Sequence, residues 1–287
     1  METLQGVRNK MTEKSLPELL NFGLINIDKP SGPTSFTVSH HVCSLLELKK
    51  TSHLGTLDPQ VSGVLPIALG RACKLNDVFM HRNKTYVGIM RIHSEISEET
   101  LNTEIKKFIG KIIQLPPVKS SVARRERERE IFTFKILEIN GKDVLFETEV
   151  QAGTYIRKLC HDIGLSLGCG AHMLELRRTQ AGLFKEDKSY NLYELDSAVQ
   201  SLKEGDEKPL RKMIIPAEES IKLVLPCIQV TKKKNIKQLL TGKPLHNSDF
   251  PKVPQEKFAL FQKENFIGIY HPVSEGDIVA RVDFVFN

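Results

Sequence analysis

The sequence lacks the features that mark disulfide-rich, secreted and membrane-spanning proteins. Its five cysteines are an odd number with no CxxC pair, which argues against a disulfide scaffold and favours a reducing compartment. The longest apolar run, residues 64–69, is short and interrupted by Pro66, so no segment is expected to span a membrane. The N-terminal METLQGVRNKMTEK has no apolar core of a signal peptide. We therefore expect a soluble, intracellular protein.

The composition is that of an ordinary globular protein. The chain has 287 residues, of which 40% are hydrophobic and 26% charged, enough for a large domain plus a small one. The formal net charge of +6 favours a polyanionic partner, although many basic proteins bind no nucleic acid. Charge alone therefore assigns no function.

Hydrophobic patterning predicts an α+β fold with a mixed, largely antiparallel sheet. Asn140-Gly141 is a strong hairpin signal between two strand-like segments. A helix is predicted over residues 35–49 with Ser35 as N-cap, and another carries the apolar stripe of residues 156, 159, 160 and 163. The predicted strands include residues 23–27, 84–93, 131–139, 143–150 and 173–184.

A charged, turn-rich segment at residues 203–216 predicts a domain boundary. We expect a larger domain over residues 1–215, whose N-terminal arm at 1–22 packs on the C-terminal domain. Residues 216–287 are expected to form a small β-rich domain with one helix over residues 233–240.

The segment HLGTLDPQVSGVLP, residues 53–66, displays an aspartate in a loop. Asp58 lies between a glycine-containing turn and Pro59, which disfavours helical backbone angles at Asp58. An aspartate displayed in this way can act as a nucleophile or a base. The alternative is that Asp-Pro only forms a turn, and local chemistry alone favours that alternative.

Further segments join this one in a family resemblance. GTLDP and GVLP are similar to the catalytic motif of the TruB/dyskerin family of pseudouridine synthases, and DKPSGPTS at residues 28–35 resembles its DKPxGxTS motif. KTYVGIM, AGTYIRKLCHDIG and GAHMLELRRTQAG match three other segments. The resemblance covers residues 23–185 and implies the pseudouridine synthase fold.

The resemblance also implies a role for each matching residue. Asp58 would be the catalytic carboxylate, oriented by Arg157, and the Tyr86 ring would stack on the target uracil. A lone strand tyrosine is more often a core residue, and Arg157 read alone is a surface residue of an amphipathic helix. The other implied site residues are His53 and Leu176, which would contact the extruded base, and Lys29, Pro30 and Arg177, which would support the site.

No cofactor or metal is expected. Pseudouridine formation is an isomerisation that needs no redox carrier, and the sequence has no P-loop or GxGxxG element. The alternative of a zinc site rests on Cys160, His161, Cys169 and His172. Adjacent ligands on a helix would point in different directions, which disfavours zinc.

Two features favour the H/ACA branch of the family. The arginine-studded segment at residues 115–130 resembles the corresponding loop of that branch. Its four arginines are nearly balanced by three glutamates, which weakens the argument that it binds phosphates. LLTGKPL and EGDIVARV resemble a PUA domain, and the basic run at residues 232–234 has the charge to contact phosphates. The short tail points to an archaeal, cytoplasmic protein, with a nucleolar location if the source is eukaryotic.

The resemblance implies RNA partners and a ribonucleoprotein. A guide RNA would select uridines in rRNA or tRNA, alongside small H/ACA accessory proteins and a kink-turn-binding protein, with no membrane. One rival is a stand-alone synthase for the T-loop uridine of tRNA. Another is a non-catalytic RNA-binding scaffold, and a third is a metal-dependent enzyme that uses the Cys/His cluster.

Overall fold

The computed structural model describes residues 14–116, 123–230, 236–248, 250 and 252–287. The chain divides into two compact units, Met1–Leu24 with Ile214–Asn287, and Ile25–Met213. The second unit ends at Met213, two residues before the predicted end of the larger domain at residue 215. None of the helices in the described ranges has the length and apolar character that a membrane crossing requires.

The unit Ile25–Met213 is built on one mixed sheet. The strands are β1 (Gly23–Lys29, whose first residues belong to the other unit), β2 (Thr51–His53), β3 (Ser62–Leu69), β4 (Lys84–Ile92), β5 (Gly110–Gln114), β6 (Arg127–Asn140), β7 (Asp143–Val150), β8 (Ala171–Ala181) and β9 (Phe184–Lys185). Their order is β1-β3-β8-β4-β7-β6-β5, with β2 on β3 and β9 on β8. β3 and β8 pair in parallel, whereas β4 runs antiparallel to both β7 and β8. The predicted mixed, largely antiparallel sheet is confirmed.

Helices flank this sheet and bury the faces that the sequence pattern predicts. The helices are α2 (Ser35–Leu45), α3 (Asn76–Met80), α4 (Glu98–Lys106), α5 (Ile156–Ser166), α6 (Leu192–Lys203) and α7 (Lys208–Met213). In α5 the predicted stripe of Ile156, Leu159, Cys160 and Ile163 is buried. The predicted hairpin is also present, since Asn140 pairs with Asp143 where β6 meets β7.

The helix predicted over residues 35–49 is shorter and is capped by a different residue. Thr34 is the N-cap, because its side chain accepts the backbone N–H of Thr37, and α2 ends at Leu45. Glu47 has a φ of 52°, which is incompatible with helix continuation. The predicted cap, Ser35, is instead the first helical residue and contacts another segment, described below.

Two other stretches are more regular than the sequence indicated. The arginine-studded segment at residues 115–130 is strand from Arg127 onward, because Gln114 through Gly110 pair with Arg127 through Ile131. Residues 117–122 of that segment lie outside the described residues. The boundary segment 203–216 contains α7, whose Leu210 and Met213 are buried.

The unit formed by Met1–Leu24 and Ile214–Asn287 has its own sheet and core. Its elements are α1 (Leu16–Asn21), β10 (Ile214–Pro216), α8 (Ala217–Val224), β11 (Cys227–Gln229), α9 (Ile236–Leu239), β12 (Leu245–His246), β13 (Phe258–Gln262), β14 (Asn265–Glu275) and β15 (Ile278–Val285). The sheet order is β11-β13-β14-β15-β12. Phe22, which follows α1, stacks on Phe266 with ring centroids 5.5 Å apart. The predicted basic run at residues 232–234 lies outside the described residues.

Candidate active site

Asp58 lies in the loop between β2 and β3, and its side chain is 59% exposed. Hydrogen bonds fix the loop at both ends. The Leu54 N–H donates to the Pro66 carbonyl over 2.8 Å, and the Val61 N–H donates to the Asp58 carbonyl over 3.0 Å. The backbone of the loop is therefore held while the Asp58 carboxylate stays open to solvent and to a substrate.

The DKPSGPTS segment contacts this loop through Lys29 and Gly32. Lys29 is fully buried, and its Nζ donates to the carbonyls of Pro30 over 2.7 Å and Pro59 over 3.0 Å. Burial lowers the pKa of Lys29, and the negative charge of Asp58 opposes that shift. The Gly32 N–H also donates to the Pro59 carbonyl, over 2.8 Å.

Ser35 provides a second attachment that the sequence analysis missed. Its Oγ accepts the N–H of Leu57 over 2.8 Å and donates to the Leu57 carbonyl over 3.0 Å. Leu57 precedes Asp58, so the first turn of α2 holds the backbone next to the carboxylate. A serine beside a helix N-terminus is usually a cap, which is why the sequence pointed to the wrong partner.

Arg157 reaches Asp58 from the first turn of α5. Its Nη2 lies 3.3 Å from Asp58 Oδ2, across a separation of 99 residues in the chain. The start of α5 is fixed by Gln114, whose side-chain oxygen accepts the Tyr155 N–H over 2.9 Å. The ion pair expected from the resemblance is therefore present, and both side chains are more than half exposed.

Tyr86 and Leu176 lie on one buried face of neighbouring strands. Tyr86 of β4 is opposite Arg178 of β8, and Gly88 is opposite Leu176. A Cβ at position 88 would lie 2.8 Å from Leu176 Cδ1, so the leucine packs directly over the glycine. Both Tyr86 and Leu176 are 9% exposed, which leaves only an edge of each available to a substrate.

His53 ends β2 beside the Asp58 loop. Its Nε2 lies 3.1 Å from Thr56 Oγ1. Burial, and then the positive charge of Arg178, lower the pKa of His53. Near neutral pH the imidazole is therefore neutral, so it can both donate and accept hydrogen bonds.

Arg177 forms ion pairs with Asp28 and Glu186. Its guanidinium donates to both carboxylate oxygens of Asp28 over 2.9 Å and to Glu186 over 3.0 Å. These bonds raise the pKa of Arg177 and tie β8 to the DKPSGPTS segment. A supporting role for Arg177 remains a prediction.

Two cations beneath the loop were missed by the sequence analysis. Arg178 is 1% exposed and Lys84 5% exposed. Lys84 donates to the carbonyls of Met80 and Arg82, and burial followed by the charge of Arg178 lowers its pKa to about 8. The available signal was strand alternation, since Arg178 falls two residues after Leu176 and Lys84 two residues before Tyr86.

The residues of the zinc alternative point in different directions. Cys160 is fully buried and burial raises its pKa to about 12, whereas the neighbouring His161 side chain is 57% exposed. His172 instead contacts His93, with Nδ1 and Nε2 2.8 Å apart. In the described part of the chain no three His, Cys, Asp or Glu side chains form a group that suits a metal ion.

Two family models match adjacent parts of the chain. Residues 44–156 match the N-terminal domain of the TruB family of pseudouridylate synthases, and residues 157–222 match the C-terminal domain of tRNA pseudouridylate synthase B. Asp58 therefore lies in the segment that matches the first family model, and Arg157 is the first residue of the segment that matches the second.

Curated relatives in archaea resemble most of the chain. A probable tRNA pseudouridine synthase B of Methanopyrus kandleri is 48% identical over 76% of this chain and 64% of its own length. Its counterpart in Thermococcus onnurineus is 50% identical over 70% of this chain and 61% of its own. The chain thus matches less than two thirds of the length of these relatives.

Solved structures resemble nearly the whole chain. A chain of a crystallised Cbf5-Nop10-Gar1 complex is 35% identical, with a TM-score of 0.87 over 98% of this chain and 92% of its own. A chain of an H/ACA RNP bound to a substrate RNA containing 2'-deoxyuridine is 34% identical, with a TM-score of 0.84 over 98% and 92%. The α+β fold with a C-terminal PUA-like domain is therefore shared with these proteins.

Proposed function

The chain belongs to the TruB family of pseudouridine synthases, and we propose that it isomerises uridine to pseudouridine in RNA with Asp58 as the reacting carboxylate. The contact of 3.3 Å between Asp58 and Arg157 carries this proposal. It joins two motifs that are remote in sequence, and a half-exposed ion pair contributes little to stability. Its value is therefore in orienting the carboxylate.

The residues around Asp58 suit chemistry on an extruded base. The target uridine must leave its stack before its glycosidic bond is accessible, and Tyr86 and Leu176 offer an aromatic edge and an apolar wall. The N1–C1′ bond breaks, the C5–C1′ bond forms, and a proton leaves C5 while N1 gains one. The atoms balance without a cofactor. Attack on the sugar, attack on the base and abstraction of a ribose proton all use an aspartate carboxylate.

We further infer that the chain is the catalytic subunit of an H/ACA guide ribonucleoprotein. Its similarity to chains of solved H/ACA assemblies supports partners of the same kind, namely a hairpin guide RNA, small accessory proteins and a kink-turn-binding protein. The targets would be uridines of rRNA or tRNA selected by pairing with the guide. The PUA-like unit supports binding to RNA in addition to the active site.

A second candidate is a stand-alone synthase for the T-loop uridine of tRNA. The names of the archaeal relatives, probable tRNA pseudouridine synthase B, favour it. One protein can carry both activities, because the two reactions differ in how the uridine is presented and share the chemistry at Asp58.

Pseudouridine formation by purified wild-type protein and by Asp58→Asn tests the function. Asparagine keeps the volume but is neither a carboxylate nucleophile nor a base, so we expect no product from the variant while RNA binding survives. Asp143→Asn is a matched control, because Asp143 is also a partly exposed carboxylate in an ion pair with an arginine. Wild-type turnover by Asp58→Asn would refute the assignment.

The substrates separate the candidates. One is a T-loop tRNA alone, and the other is a guided target with guide RNA and accessory proteins. Product only in the guided reaction supports the H/ACA role, and product only from tRNA alone supports the stand-alone synthase. Tight RNA binding without product in either reaction would support a non-catalytic scaffold instead.

A further inference from the structure

Arg178 connects four parts of the candidate site through one buried guanidinium. Its Nε donates to the Val64 carbonyl over 2.8 Å, and its Nη2 donates to the Gly55 carbonyl over 3.0 Å. Tyr86 lies opposite Arg178 in the pairing of β4 with β8, and the charge of Arg178 adds to the burial that lowers the pKa of His53. The acceptors at Gly55 and Val64 lie on opposite arms of the loop that carries Asp58.

The backbone around Arg178 is shaped for this contact. A Cβ at Gly55 would lie 3.5 Å from Arg178 Nη1 and 3.8 Å from Lys84 Cε, and a Cβ at Gly63 would lie 2.2 Å from the Arg178 carbonyl. Gly55 therefore lies in contact distance of both cationic side chains, and the glycine at position 63 permits the close approach to the backbone of Arg178. A longer or shorter cation would change the height of the loop above the sheet.

Arg178 is unusual because its side chain is fully buried while the acceptors named above are neutral. Burying a guanidinium carries a large desolvation penalty unless every donor finds a partner, and the nearby positive charge of Lys84 adds repulsion. A neutral side chain would avoid that penalty, but the planar guanidinium reaches the carbonyls of Val64 and Gly55 together, from the strand position opposite Tyr86. Arg178 thus holds the loop backbone in a defined position, although burying its charge lowers the stability of the fold.

The geometry points to Arg178 as a positioning residue that fixes the Asp58 loop and the Tyr86 ring relative to each other. This inference rests on the proposed function. Arg178 would act through both groups without touching the substrate, because it is enclosed beneath them. Misplacement of reacting groups by about 1 Å can lower a rate about 100-fold, so the expected effect falls on the chemical step.

The test compares Arg178→Gln, Arg178→Lys and the control Arg91→Gln, which removes an exposed arginine at the far end of β4. We expect Arg178→Gln to lower the single-turnover rate at saturating RNA about 100-fold, with the Kd for RNA unchanged within about threefold. Arg178→Lys should recover little, because an ammonium lacks the fork. Adding Tyr86→Phe to Arg178→Gln should lower the rate less than it does in the wild type.

Hydrogen exchange of the loop at residues 54–61 provides a readout that needs no catalysis. We expect faster amide exchange there in Arg178→Gln than in Arg91→Gln, with equal exchange in β6 and β7 of the same unit, which shows that this unit is folded in the variant. Unchanged loop exchange, or a wild-type single-turnover rate, would overturn the inference. A wild-type protein that makes no pseudouridine would refute the proposed function, and the exchange result would still decide whether Arg178 positions the loop.

Discussion

At the scale of single residues, the ion pair of Asp58 and Arg157 is expected to matter for activity and to contribute little to stability. Both side chains are more than half exposed, so the pair contributes at most about 1 kcal/mol to the free energy of unfolding. The same contact orients the carboxylate in the proposed reaction. Activity and stability should therefore respond very differently when Arg157 is removed.

We expect Arg157→Ala to lower turnover about 100-fold while the free energy of unfolding changes by less than about 1 kcal/mol. Single-turnover assays and denaturant unfolding measure the two quantities. Arg91→Ala is the control, because Arg91 also pairs with a partly exposed carboxylate but lies outside the site. Activity equal to wild type in Arg157→Ala would contradict the orienting role.

Because of Lys84, we expect the free energy of unfolding to change with pH in the alkaline range. Its pKa is lowered from 10.5 to about 8 by burial and then by the charge of Arg178. Between these values the unfolded chain binds a proton at Lys84 that the folded chain does not, so the free energy of unfolding rises with pH. The rise is at most about 3 kcal/mol across the window, and below pH 8 the stabilisation is absent.

Denaturant unfolding of wild type and Lys84→Met from pH 7 to pH 10.5 measures this effect. We expect the wild-type free energy of unfolding to rise relative to that of the variant above pH 8, and the difference to be constant below it. Parallel pH profiles for the two proteins would show that Lys84 keeps an ordinary pKa.

At the scale of elements, the parallel contact between β3 and β8 depends on Gly63. Its φ is +104°, and a Cβ there would lie 2.2 Å from the Arg178 carbonyl. We expect Gly63→Ala to destabilise the fold by more than about 3 kcal/mol, because a backbone clash adds to left-handed strain of about 1 to 2 kcal/mol. Gly110→Ala isolates the strain, since Gly110 has a φ of +101° with nothing within 4 Å. Equal losses in the two variants would show that the clash is relieved.

Local patterns predicted the elements whose signals are complete within a short window. Asn140-Gly141 located the β6–β7 hairpin, and the apolar stripe located α5. The same reasoning misassigned Ser35, because a cap and a loop contact have the same local sequence. It also missed the strand from Arg127, since that strand is defined by pairing with β5 and not by its own charged sequence.

The candidate site was predictable to a similar extent. Asp58, Arg157 and Lys29 were identified through motifs; in the structure Arg157 contacts Asp58, and Lys29 donates to the carbonyl of Pro59, the residue after Asp58. Arg178 and Lys84 were not identified, because their importance comes from burial on a face that exists only when β4, β8 and the loop come together. Charged residues at alternating strand positions were the one signal available in advance.

At the scale of the whole molecule, the net charge of +6 gives the proposed RNA binding a salt dependence. If two to six phosphates are neutralised, the plot of log Kd against log salt has a slope of about 1.5 to 4. Filter binding between about 50 and 300 mM salt measures this slope. Asp58→Asn should show the same slope, and a Kd that is independent of salt would argue against phosphate contacts.

The partners in the candidate site are joined across long stretches of chain. Arg157 and Asp58 are separated by 99 residues, Arg178 and Gly55 by 123, and Arg177 and Asp28 by 149. Contacts of this kind form late, because each one closes a long loop. During synthesis the Asp58 loop emerges from the ribosome before β8 has been made. The loop therefore lacks its hydrogen bond to Arg178 until β8 has emerged as well. A nascent chain is therefore expected to be inert until more than half of it has emerged, and a fragment ending before β8 to remain so.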